Sequence, residues 1–182
     1  AARPKGERER VLILPGDGIG PEISAATVAV LEAASRRFGL GLELVHDVVG
    51  HESLRRYGTT VRPEALDLAR ACDGLVLGPV ATYEFPDGIN PSRFFRKSLD
   101  LYANIRPSRT YQGSPQPVGP FDLVVVRENT EGFYADRNME AGSGEMLVTP
   151  DVAVSLRRIT RPACARSARA AFELAGRRGR KV

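Results

Sequence analysis

From Val125 to Tyr134 the chain reads Val-Val-Arg-Glu-Asn-Thr-Glu-Gly-Phe-Tyr, so an arginine, two carboxylates and a tyrosine stand around one glycine. They follow the apolar run Leu123–Val126, which has the character of a buried strand. The C-terminal end of such a strand is where open α/β sheets place ligand sites. The Arg127 guanidinium is a rigid fork that matches a carboxylate, and a phenol seven residues on has a proton to donate. Two further arginines stand in comparable surroundings, Arg96 on a helix-like segment and Arg106 at the end of strand-like Leu101–Ile105. Any one of them alone also fits a surface cation. An arginine that ends an apolar strand is costly unless paired, and convergence on substrate carboxylates accounts for all three. These residue types point to an enzyme acting on a small polycarboxylic acid.

The elements that must carry these groups are legible as a repeating pattern. Val11–Leu14 reads as a buried strand and Pro15–Glu22 as a loop, with Pro21 in the first turn of a helix continued by Ile23, Ala26, Val30, Leu31 and Ala34. Leu42–Asp47 alternates like a strand, Pro63 opens a second helix through Cys72, and Gly74–Gly78 is a short buried strand. This βαβαβ order predicts an α/β fold with an open, mainly parallel sheet flanked by helices. Ser92–Ser98 reads as a helix, and proline and glycine mark Pro107–Pro120 as a connector between lobes. A strand at Leu123–Val126, an excursion or hairpin over 135–150 and a partly alternating strand through Val152, Val154, Leu156 and Ile159 follow. Thr160 is placed to cap a last helix to Arg177, with Pro162 in its first turn. The expected division is a cofactor-side lobe over 1–106 and the start of a smaller lobe over 107–182. The final Arg-Lys-Val182 reads as the entrance to another strand, so the chain is expected to be truncated.

Composition narrows the function. With 42% hydrophobic and 26% charged residues the chain has the make-up of a soluble globular protein. No run approaches the roughly 20 apolar residues of a membrane helix, and the charged N-terminus is no signal peptide. The net charge of +4 gathers at Arg177, Arg178, Arg180 and Lys181, which fits the solvated C-terminal end of a helix better than a nucleic-acid surface. Cys72 and Cys164 are expected as buried thiols in a cytoplasmic protein. His46 and His51 have no metal-ligand spacing with them. Gly16-Asp-Gly-Ile-Gly20 fails as a dinucleotide fingerprint: its sixth position is Pro21, and Asp17 sits where pyrophosphate would approach. No Gly-Lys-Ser/Thr completes a phosphate-binding loop of the Walker type either. The segment reads as a turn and helix cap, with a possible role as a ligand wall.

With these residues assembled, the chain resembles the isocitrate and isopropylmalate dehydrogenase family of metal-dependent, β-decarboxylating hydroxy-acid dehydrogenases. Leu14–Glu22, Arg96–Pro107 and Arg127–Tyr134 carry the resemblance, which covers almost everything from Val11 to Val182. It implies that Arg96, Arg106 and Arg127 bind substrate carboxylates, with Asn90 and Ser92 near the substrate and Tyr134 catalytic. It also implies that Ile19, Val80 and Thr82 lie near the nicotinamide of NAD or NADP, bound outside the usual Rossmann mode. A Mg or Mn ion would acidify the substrate hydroxyl, and Tyr134 would help protonate the enol left by loss of carbon dioxide. The family's catalytic lysine, metal-binding aspartates and adenosine-binding segment lie beyond Val182, so no metal ligand is expected within this chain and the chain alone is expected to be inactive. The family pairs as homodimers that share active sites, with an arm expected near 136–158. Asn90 and Ser92 reverse a Ser-x-Asn pair common in isocitrate enzymes, while Glu128–Gly132 looks like the isocitrate, homoisocitrate and tartrate branches. The substrate acid stays open among these, isopropylmalate and malate. A non-catalytic or regulatory homologue that keeps the binding groups and joins an active partner is the alternative.

Overall fold

Leu12, Ile13 and Leu14 are at most 1% exposed, which makes their strand the centre of the first unit. The computed structural model describes residues 8–85, 89–115, 117–132, 142 and 144–182. It divides into two compact units, Ala1–Leu99 and Asp100–Val182. Among the described residues no helix is long and apolar enough to cross a membrane.

The first unit runs β1 (Glu9–Leu14), α1 (Gly20–Phe38), β2 (Leu42–His46), α2 (His51–Tyr57), α3 (Pro63–Arg70), β3 (Gly74–Leu77), a 3-10 turn at Thr82–Glu84 and α4 (Pro91–Ser98). The strands form one parallel sheet in the order β2-β1-β3, with Val11 opposite both Leu44 and Gly74. A central parallel strand is covered on both faces, which is why β1 is a continuous apolar run rather than an alternating one. Leu12 and Leu14 pack with Val49, Val61, Ala65, Ala69 and Phe95 in a single core. β1 and β3 are neighbours in this order, and the loops that follow their C-terminal ends are the kind of place where open parallel sheets carry ligand sites.

Two local expectations change here. The apolar stripe of α1 is not its buried face, since Ile23 and Val30 are 43% and 68% exposed. The helix instead turns Gly20 and Ser24 inward, because a Cβ on Gly20 would stand 2.1 Å from the Pro15 carbonyl oxygen. That backbone contact fixes the rotation of the helix more firmly than a few exposed methyl groups do. Helix α2 is the second change: nothing in its own residues marks its start.

The second unit contains β4 (Ala103–Arg109), β5 (Asp122–Glu128), β6 (Glu145–Thr149), β7 (Val152–Ser155) and α5 (Arg161–Arg178). β4 and β5 form one antiparallel ladder, β6 and β7 another. β4 runs on through Pro107, which stands opposite Val124, so the expected connector begins only after Arg109. Proline is tolerated there because β4 carries no second neighbouring strand among the described residues. The alternating strand expected through Ile159 stops at Ser155. Helix α5 starts as the sequence indicates, with Thr160 Oγ1 accepting from Ala163 N, and packs against β5. Arg178 and Arg180 are tied to Asp122 at the start of β5, so two of the terminal cations hold the helix end to the ladder.

Candidate active site

In the first unit the loops after β1 and β3 are laid against each other. Asp17 N donates to the Pro79 carbonyl at 2.7 Å. Gly16 has φ +75°, and a Cβ there would stand 2.1 Å from the same carbonyl oxygen, so only glycine allows this approach. The Asp17 side chain is 7% exposed. Its carboxylate accepts from His51 N at 2.7 Å and from Ala81 N at 3.0 Å. An acidic residue in a glycine-rich loop is therefore engaged with the protein's own backbone, and it repels pyrophosphate from the place a conventional dinucleotide fold would use. The acidic residue after β2 is engaged too: Arg62 Nη2 donates to both Asp47 oxygens at 2.8 and 2.9 Å.

Ile19, 59% exposed, lies in the first of these loops, while Val80 and Thr82 are half-buried in and just after the second. Thr82 Oγ1 accepts from Asn90 Nδ2 at 3.3 Å, and Asn90 Oδ1 accepts from Arg93 N at 3.0 Å as the cap of α4. The sequence-predicted residues Ile19, Val80, Thr82 and Asn90 thus belong to one bonded stretch of the first unit. On α4, Phe95 is 1% exposed and anchors the helix in the core. Ser92 and Arg96 are both half-buried one turn apart, and so share a face of α4.

In the second unit the ladder brings two arginines together. Asn104 stands opposite Arg127 and Arg106 opposite Val125, so all four side chains lie on one face. Arg106 and Arg127 are diagonal neighbours, a relation that separates backbones by about 7–8 Å and leaves long side chains in reach of a common ligand. Arg106 Nε donates to Asn104 Oδ1 at 3.2 Å, which aims the guanidinium along the ladder. Arg127 opens onto a cleft of about 540 Å³ whose walls include Glu131, Arg157, Arg158, Ile159 and Cys164.

The rest of the motif holds Arg127 in place. Glu128 accepts from Thr130 N and Thr130 Oγ1, and from Ser167 Oγ on α5 at 2.9 Å. Burial pushes the Glu128 carboxyl up, but these bonds and the Arg166 charge outweigh it and hold the group below the usual carboxylate range. Asn129, 6% exposed, donates from Nδ2 to the Leu101 carbonyl at 3.2 Å. Glu131 accepts from Thr160 N and Thr160 Oγ1, both at 2.8 Å. Both carboxylates of the motif are thus committed to positioning. Tyr134 lies outside the described residues.

The described residues contain no group of three or more His, Cys, Asp or Glu fit to hold a metal ion. His51 Nε2 stands 2.7 Å from Glu84 Oε2, with its ring against Phe85. Both cysteines are free, but only Cys72 is partly buried; Cys164, expected inside, is exposed on the first turn of α5.

A family model described as isocitrate/isopropylmalate dehydrogenase matches residues 10–182. A 3-isopropylmalate dehydrogenase of Pseudomonas fluorescens is 37% identical over 193 residues, which cover 96% of this chain and 51% of the relative. One from Xanthomonas euvesicatoria is 37% identical over 96% of this chain and 52% of its own length. The chain spans about half the length of the curated relatives it matches. Among solved structures, the isocitrate dehydrogenase of Methylococcus capsulatus superposes with TM-score 0.75 at 33% identity, covering 95% of this chain and 49% of that one. The apo β-decarboxylating dehydrogenase of Thermococcus kodakarensis gives TM-score 0.70 at 31% identity, over 94% and 47%. The match spans both units and all three motifs, two of which carry the arginines: the chain belongs to the isocitrate/isopropylmalate dehydrogenase family.

Proposed function

We propose that the complete gene product carrying this chain catalyses the NAD- or NADP-dependent oxidative decarboxylation of a 2-hydroxy di- or tricarboxylic acid, of the isocitrate, homoisocitrate, isopropylmalate, tartrate or malate type. The observation that carries this reading is the placing of Arg106 and Arg127 on one face of the β4–β5 ladder. Two guanidinium groups on one face offer planar forks that suit a ligand with two or more carboxylates. Arg96 and Ser92 on α4 add a further cation and a hydroxyl to the substrate set, and Asn90 supports them from the helix cap.

A nicotinamide nucleotide supplies the hydride acceptor. Its assigned place is at the loops that follow β1 and β3, with Ile19, Val80 and Thr82 as its contacts, and the engaged carboxylate of Asp17 favours a binding mode outside the pyrophosphate-loop pattern. Mg or Mn is the expected metal, but the described residues of this chain do not form its ligand set, and no step is assigned to it here. Tyr134 is assigned the proton donation that ends the reaction. The β6–β7 hairpin leaves Met146, Leu147 and Val148 between 56% and 72% exposed, which supports a clasp with a second copy near 136–158. Two free thiols fit a reducing cytoplasm.

The test is spectrophotometric. The complete gene product is assayed with Mg or Mn, with NAD and NADP in turn, against isocitrate, homoisocitrate, isopropylmalate, tartrate and malate. Nucleotide reduction with release of carbon dioxide from at least one acid is expected. No turnover of any of them overturns the reading.

A further inference from the structure

We propose that Asp17 is the positioning residue that fastens the 79–82 loop for nucleotide binding, a role that rests on the cofactor-loop reading above. Three segments distant in sequence meet at this one carboxylate: its own loop, the start of α2 at His51 and the second loop at Ala81. The contact is tight from every side. A Cβ on Gly50 would stand 2.3 Å from both Asp17 carboxylate oxygens, so the chain reserves this volume for the acid. A carboxylate only accepts, and both bonds come from backbone N–H groups, those of His51 and Ala81.

Without the carboxylate, the Ala81 N–H loses its acceptor, and the loop between β3 and the 3-10 turn keeps on this side only the bonds nearer β3, from Asp17 N to the Pro79 carbonyl and from Gly78 N to the Leu14 carbonyl. The nucleotide then has to select the fastened conformation from a mixture, and its apparent affinity falls by the fraction that is competent. Asp17 bonds to His51 N, Ala81 N and the Pro79 carbonyl, and to none of the arginines assigned to the substrate. The effect of losing Asp17 should therefore be confined to one of the two reactants, which a general loss of stability does not produce.

Two variants of the complete gene product test this. Asp17→Asn keeps the shape and replaces one acceptor oxygen by a donor. Ala81→Pro removes the N–H from the other side, at a residue whose φ of −75° proline adopts. Each should raise the nucleotide KM by roughly 10- to 150-fold, the range for one bond to a charged group. The hydroxy-acid KM, measured at saturating nucleotide, should stay within about 3-fold of wild type. Amide exchange over 79–82 should quicken in both variants. A folded variant with the wild-type nucleotide KM overturns the role of Asp17 alone. So do KM values for both reactants that rise together with a lowered Tm. If Asp17→Asn does not fold, Ala81→Pro decides by the same readings. Wild-type protein that reduces neither nucleotide refutes the proposed function, and this role with it.

Discussion

Replacing Arg127 by alanine and by lysine separates a substrate ligand from a surface cation by magnitude. Arg127 is half-buried at the end of β5, opposite Asn104 and diagonal to Arg106. A solvent-exposed ion pair is worth about 0.2–1 kcal/mol, which would cap the loss of affinity near 5-fold. A charge-assisted contact in a partly desolvated cleft is worth about 1.5–3 kcal/mol, which corresponds to roughly 10- to 150-fold. The cleft beside Arg127 and the neighbouring Arg106 favour the larger figure. In the complete gene product, Arg127→Ala should therefore raise the hydroxy-acid KM by roughly 10- to 150-fold. Arg127→Lys keeps the charge but loses the planar fork, and should fall between alanine and wild type. The fold should persist, because the bonds that shape the segment belong to Glu128, Asn129 and Glu131. Initial rates against hydroxy acid and nucleotide in turn, with circular dichroism as the fold check, give the answer. A loss below about 5-fold in a folded variant refutes the reasoning, because that is the range of a solvated pair.

Arg106→Ala and Arg127→Ala should be non-additive, since both are assigned to one substrate; effects that simply add indicate separate roles. Tyr134→Phe should lower kcat by on the order of 10²–10⁴ with little change in KM, and a variant as fast as wild type excludes a proton-donor role. Glu128 titrates below its ordinary value, so its stabilisation is complete above the unfolded value of about 4.3 and disappears as pH falls through the lower folded value. The Tm gap between wild type and Glu128→Gln should therefore be widest near neutrality and close in acid; a gap that persists unchanged to about pH 3 contradicts the assignment. The complete gene product should sediment as a dimer at micromolar concentration, and replacing Leu147 and Val148 by serine should shift it toward monomer. A dimer unaffected by those changes removes the β6–β7 hairpin from the interface.

The parts of the fold that could be read from sequence are those whose causes lie within a few residues. β1 announces itself as an apolar run, α1, α3 and α5 open on Pro21, Pro63 and Pro162, and Gly39 and Gly179 close two of them in the left-handed conformation. The extension of β4 through Pro107 was not legible, because whether a ladder accepts proline depends on which edge is open. The shared face of Arg106 and Arg127 was not legible either. Spacing along the chain shows that each ends an apolar run, but only the pairing of Asn104 with Arg127 decides that they face the same way.

The same distinction explains why the partners of the acidic residues were not legible. Asp17, Glu128 and Glu131 stand inside the most informative motifs, and motif reading treats a carboxylate there as an obstacle or a reagent. Each instead satisfies backbone or hydroxyl donors of an element far along the chain: Asp17 the start of α2, Glu128 the side of α5 at Ser167, and Glu131 its cap at Thr160. A helix start leaves N–H groups that need an acceptor, and when its own cap residue has no side chain, as at Gly50, the acceptor must come from elsewhere. That is why α2 is invisible from its own sequence, and why its missing cap is found 34 residues upstream. A carboxylate used in this way makes its motif rigid before any ligand arrives. The motifs are therefore recognisable in sequence for two different reasons. The arginines are assigned to a ligand, and the acids hold backbone and hydroxyl donors of neighbouring elements.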